Sequence, residues 1–161
     1  MRFINYLNQK IGDYASLLYL AVFVVMVYDV GARYYFSKAT SWGLELIIAL
    51  VGIHYVLAGA HAIKNNTHVR IDVIYNLLPR KVRRWMDVLA LLLSMVFLLI
   101  IVYYGYEQAI TAVEIGERSG AGWNSLAPTY MKVAIPAGAF LMVLQCLSNL
   151  VDTIKEMRNE Q

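Results

Sequence analysis

Charge is scarce in this sequence. Asp, Glu, Lys and Arg supply 16% of its 161 residues while 60% are hydrophobic, against about a quarter charged and about half apolar in a water-soluble domain. With a mean hydropathy of +0.54, a lipid-facing surface is the simplest explanation. Cysteine is nearly absent: the single Cys146 excludes an intrachain disulfide, a CxxC pair and any cysteine-rich metal site. Its place in an apolar run reads as a small buried hydrophobe. No nucleophile with its base, glycine loop for phosphate or HExxH zinc motif occurs. The chain is therefore expected to be no enzyme and to carry no catalytic, metal or cofactor site. No repeat, low-complexity tract or second domain divides residues 1–161, which read as one all-α transmembrane domain.

What is present is a set of long apolar runs. A bilayer core of about 30 Å needs about 20 mostly apolar helical residues, because lipid offers no partners to free backbone groups. Four segments meet that test, at about 14–36, 42–63, 85–112 and 130–154. The first is charge-free until Asp29 and Arg33 and closes on Tyr34, Tyr35 and Phe36, rings suited to a headgroup boundary. The second starts at Trp42 with Glu45 close behind, and the third is uncharged between Asp87 and Glu107. The fourth is uncharged between Lys132 and Asp152, with Pro136 in its early turns, where a missing N–H does least harm. Residues 1–10 carry two basic side chains as a signal peptide would, but the apolar run that follows outlasts a signal core, so a retained first helix is expected.

The net charge of +3 and pI of about 9.0 do not describe a nucleic-acid patch, because the basic residues gather in loops beside the spans. Arg2 and Lys10 lead the chain, Lys64, Arg70, Arg80, Lys81, Arg83 and Arg84 fill the second loop, and Lys155 and Arg158 close it. The other side has Arg33, Lys38, Arg118 and Lys132. The positive-inside bias then puts both termini and the second loop in the cytoplasm. In that loop Val69, Val73 and Leu77 recur every four residues before Pro79, predicting a short amphipathic interfacial helix at about 69–78. The third loop, Glu114 to Ala127, is polar, contains Trp123 and reads as an external loop able to touch a partner.

Ionisable groups near a membrane each need a reason. Asp29 and Arg33 stand four apart, on one helical face, and Glu45 across the short turn could compete for Arg33; a clasp between the first two helices and a role in binding a partner or ion both follow. His54, His61 and His68 are spaced by seven, so successive rings lie about 10 Å apart along one stripe and no two share a metal ion. Stacked haems would need opposing ligands, and the chain has no other histidine. Polar packing at an inter-subunit interface is the competing reading. His68, Arg70 and Asp72, in the run His-Val-Arg-Ile-Asp, read equally as a helix start in contact with headgroups and as a docking element.

Taken together, Arg33-Tyr34-Tyr35-Phe36, then Trp42 and Glu45, then His68-Val69-Arg70-Ile71-Asp72, then Ile135-Pro136-Ala137-Gly138 resemble the small, Q-type membrane subunit of the TRAP (tripartite ATP-independent periplasmic) transporters of bacteria and archaea. The resemblance covers almost the whole chain, and the order and spacing of the motifs carry it. It implies a multi-pass protein of the cytoplasmic membrane that binds no solute itself. Such a subunit is a static scaffold for a large membrane subunit, which moves an organic acid by a sodium-driven elevator motion. A soluble periplasmic binding protein delivers the acid. Since the chain stops after the fourth span, the large subunit is expected as a separate partner, with membrane lipids around both and no nucleic acid. Arg33, Trp42, Glu45, His61, His68, Arg70, Asp72 and Pro136 become candidate structural or subunit-interface residues. Lys38, Arg118 and Trp123 become candidates for docking the binding protein. Two rivals remain: a haem- or quinone-binding membrane anchor of a redox complex, and a self-contained homodimeric transporter using Asp29 and Glu45 as ion groups.

Overall fold

The computed structural model describes residues 2–38, 40–65 and 78–159, the side chains of 2–4 and 159 aside. It is all helical among the described residues: α1 Arg2–Phe36, α2 Gly43–Lys64, α3 Arg80–Glu114 and α4 Ala127–Asn159. Each is long and apolar enough to cross a membrane. The interfacial helix expected at 69–78 lies, but for its last residue, outside the described residues.

The helices outrun their apolar cores. At about 1.5 Å per residue, the 35 residues of α1 and α3 and the 33 of α4 extend well beyond the hydrocarbon thickness, whereas the 22 of α2 match it. The ends are set by local chemistry. Pro79 precedes α3, and its carbonyl accepts from the Val82 and Arg83 amides at 3.0 and 3.1 Å. At the far end Gly116 turns left-handed with φ +60. The Glu117 amide reaches back to the Ala112 carbonyl (2.9 Å) and the Gly116 amide to Val113 (3.2 Å), closing a Schellman cap. A left-handed Ser37 (φ +52) ends α1.

The packing order differs from the chain order. α3 packs on α4, α4 on α2 and α2 on α1, so the helices form a row with α1 and α3 on its two flanks, α1 also touching α4. Accordingly 39% of the apolar window of α4 is buried by protein, against 6% for α3. Between α3 and α4 the core is Leu98, Ala139, Val143 and Cys146, with Met95 and Met142 packed against it. Between α2 and α4 small residues let the backbones approach, as in other membrane bundles. A Cβ added at Gly138 would sit 3.0 Å from the Val56 carbonyl oxygen, and one at Gly52 would meet Met131.

Pro136 departs from expectation. α4 begins at Ala127, so Pro136 stands inside the helix rather than in its opening turns. There it removes the hydrogen bond that would cap the carbonyl four residues back. It is buried, and its ring faces Gly105 of α3, whose added Cβ would lie 3.5 Å from Pro136 Cβ. A flat ring against a glycine brings α3 and α4 together where larger residues would hold them apart.

Candidate functional site

Six of the residues singled out by sequence, Arg33, Lys38, Trp42, Glu45, Arg118 and Trp123, lie at the end of the bundle where α1 passes to α2 and α3 to α4. Glu45 stands in the first turn of α2, where a carboxylate favours the positive end of the helix dipole. It is buried, and burial demands hydrogen bonds. Ser125 Oγ donates to Oε2 at 2.6 Å, Ser119 Oγ at 2.8 Å and the Ser125 amide at 3.2 Å, while the Trp123 amide donates to Oε1 at 3.1 Å. One carboxylate at the head of α2 thus fixes Ser119, Trp123 and Ser125 of the α3–α4 loop. The loop helps itself: Asn124, left-handed at φ +51, accepts from the Gly120 amide (3.3 Å) and, through its carbonyl, from Arg118 Nη1 (3.0 Å). Lys132 on α4 pairs with Glu117 at 2.6 Å, and Thr129 Oγ1 donates to the Glu117 carbonyl at 2.8 Å.

Asp29 does the corresponding work for the α1–α2 turn. It accepts from the Thr40 amide at 3.2 Å and from the Thr40 hydroxyl, and pairs with Arg33 at 3.2 Å one turn along. The expected competition between Asp29 and Glu45 for Arg33 is not what forms. Glu45 turns to the serines and amides of the other loop, which satisfy a buried carboxylate without desolvating a guanidinium. Arg33 stays largely exposed, and Trp42 stacks on Tyr28 with ring centres 5.7 Å apart.

The three docking candidates lie on this same end. Lys38 is exposed on the first turn and Arg118 on the second loop. Trp123 keeps 47% of its surface exposed although its backbone is fixed to Glu45. The two loops touch, since a Cβ at Gly122 would lie 3.2 Å from that of Ser41. Lys38, Arg118 and Trp123 are therefore presented on two loops in contact, held from beneath by Asp29 and Glu45.

Toward the opposite end a second polar network closes the row. Gln145 of α4, fully buried, accepts from Asn8 Nδ2 at 2.8 Å and donates to Asn5 and Asn149, both at 2.9 Å. Ser148 Oγ donates to Asn5 at 3.1 Å, and Asn149 Nδ2 to the Ile63 carbonyl at 2.9 Å. These amides join α1, α2 and α4, and sequence reasoning passed over all of them. The signal was there, because Asn8, Gln145 and Asn149 interrupt or border apolar runs, where a polar amide needs a partner.

Among the described residues, His54 and His61 make contacts within the chain. His54 Nδ1 lies 2.7 Å from the Ala15 carbonyl, and its ring centre is 4.1 Å from that of Tyr19. His61 packs over Gly12, where an added Cβ would come within 2.6 Å of its ring, and its Nε2 lies 2.8 Å from Asn65 Nδ2. Both face α1. His68, Arg70 and Asp72 lie outside the described residues. No group of three or more His, Cys, Asp and Glu able to hold a metal ion occurs among the described residues. The site's chemistry is that of a clasp: fixed acceptors, satisfied donors and an exposed rim.

A family described as tripartite ATP-independent periplasmic transporters, DctQ component, matches residues 22–156. The chain is 28% identical over 145 residues to the sialic acid TRAP transporter permease protein SiaT of Haemophilus influenzae, covering 90% of this chain and 22% of that protein. It is 24% identical over 148 residues to the sialic acid TRAP transporter small permease protein SiaQ of Vibrio cholerae, covering 86% and 78%. The chain thus spans about a fifth of the first relative and most of the second.

Proposed function

The chain belongs to the DctQ component family of the tripartite ATP-independent periplasmic transporters, a transporter small permease subunit, and from that premise we propose that it is the static scaffold of its transporter. The partner is a large membrane subunit that carries an organic acid across the bilayer by an elevator motion driven by sodium. A periplasmic binding protein delivers the acid. Sialic acid is the first solute to test, because both relatives are named for it.

The observation that carries the scaffold reading is that polar networks lock both ends of the row while its flanks stay apolar and uncovered. Glu45 ties the α3–α4 loop to α2, and Gln145 ties α4 to α1. Phe23 and Leu20 on α1, and Leu93 and Phe97 on α3, are each more than half exposed. A body fixed at both ends, with wide apolar flanks, suits an element against which another domain slides. On this reading the Glu45 end is external, toward the binding protein, and both termini are cytoplasmic, which the distribution of Lys and Arg supports.

A haem-binding redox anchor is not favoured. His54 and His61 stand on one helix and pack on Ala15 and Gly12 of α1, so neither faces a second histidine among the described residues. The experiment is to co-express the tagged chain with its large permease and purify the pair in mild detergent. Reconstituted with the binding protein, the pair takes up solute only under an inward sodium gradient. Uptake by this chain alone would overturn the scaffold reading, and a Soret band in the purified chain would restore the redox anchor.

A further inference from the structure

A crevice of about 1130 Å³ opens at the Gln145 end of the row, with α4 as its floor, α3 as one wall and the end of α2 as the other. Its lining changes character along the helix axis. At the outer end stand Lys64, Arg80, Arg83 and Arg84, with Asp87, Asp152 and Glu156; deeper in, the lining becomes Leu91, Phe97, Leu98, Ile101, Met142 and Cys146. From Arg80 to Ile101 at about 1.5 Å per residue the wall is about 30 Å long, which reaches from the headgroup level into the apolar core.

The charged end is organised. Arg83 Nε donates to the Leu78 carbonyl at 2.8 Å, Arg84 pairs with Glu156 at 3.4 Å, and Lys64 donates to Gln9 at 2.7 Å. A guanidinium carries five N–H donors in a fixed fork that matches phosphate oxygens. Basic pockets between transmembrane helices, opening at the membrane surface, are the kind of site that anionic headgroups occupy. A water-soluble phosphate would have no use for the apolar wall, and a plain hydrocarbon none for the arginines.

We propose that this crevice holds one anionic glycerophospholipid, its phosphate at Arg80, Arg83 and Arg84 and an acyl chain along Leu91, Leu98 and Met142. The site is separate from the clasp at Glu45 and does not depend on the transport reading. The lining has four basic and three acidic side chains among the described residues, so it favours a headgroup with one net negative charge. One cationic side chain near the surface is equivalent to about fivefold in affinity, from about 1 kcal/mol.

The test is native mass spectrometry of the full chain, delipidated in detergent and offered phosphatidylglycerol or phosphatidylethanolamine with identical acyl chains. The expected result is one retained lipid per chain with about fivefold preference for phosphatidylglycerol. Arg80→Gln removes the preference and Arg80→Lys keeps it. Lys81→Gln, one residue on and outside the lining, leaves it unchanged. Ser94→Trp, which fills the apolar part of the groove, lowers retention of both lipids. Variants are compared only where helix content and size-exclusion elution match the parent. Equal retention of the two lipids, an equal loss of preference in Lys81→Gln, or displacement of the lipid by glycerol phosphate would each overturn the proposal.

Discussion

Replacing Glu45 by alanine removes the acceptor on which the α3–α4 loop converges. Four donors lose their partner: the Ser119 and Ser125 hydroxyls and the Trp123 and Ser125 amides. The hydroxyls can rotate toward water, but the two amides are fixed by the loop's own bonds, among them the Asn124 amide to the Ala121 carbonyl at 2.9 Å. A buried donor left unpaired costs about 1–3 kcal/mol; the two amides are part-buried, so the lower bound applies to each and the loop should lose about 2 kcal/mol of local stability. At about 1.4 kcal/mol per tenfold, that loss accelerates local opening about 30-fold. Hydrogen exchange in nanodiscs reads this directly. In Glu45→Ala the amides of residues 119–125 should exchange about that much faster, while those in the middle of α2 and α4 keep their protection. Glu45→Gln, which retains an acceptor oxygen, should fall between. Unchanged exchange of Trp123 and Ser125 in the alanine variant would refute the clasp.

Asp29→Ala should destabilise the chain more than Arg33→Ala. The carboxylate also holds Thr40, whereas an exposed pair contributes about 0.2–1 kcal/mol; denaturant titration of the two variants checks the order. A double-mutant cycle on Asn8 and Gln145 should give a coupling of about 0.6–1.7 kcal/mol, between the average and the maximum for hydrogen bonds between membrane helices, and no coupling would remove that network from the account. Gly138→Ala, whose Cβ would press on Val56, should cost about 1–3 kcal/mol by overpacking. Gly31→Ala, with open space around it, should be neutral or slightly stabilising, and thermal unfolding of the two glycine variants beside the parent checks both.

The four helices were legible in the sequence because lipid imposes a length and a polarity on any segment that crosses it, and a run such as residues 88–106 meets both without help from the rest of the chain. Glu45 and Asp29 were legible as groups needing a reason. Their partners were not: Glu45 bonds residues 74 to 80 positions away, and serines in a polar loop look the same whether they bind water or a carboxylate. The amides around Gln145 were missed because charge alone guided the search of the apolar runs. Pro136 was misplaced because α4 continues toward its N-terminus through Ala127, Pro128 and Thr129, residues that read as loop until Thr129 is seen donating to the carbonyls of Ala112 and Glu117.

The central claim is that this subunit stays rigid while its partner moves, and the contact between its two clasp-end loops allows a direct test. A Cβ at Gly122 would lie 3.2 Å from that of Ser41, close to the roughly 3.5–4.5 Å of a disulfide, so Ser41→Cys with Gly122→Cys can lock the loops together. In the reconstituted transporter, sodium-driven uptake should be the same with the pair oxidised or reduced. Uptake abolished on oxidation and restored by reductant would show that the clasp moves during transport, and would contradict the scaffold account.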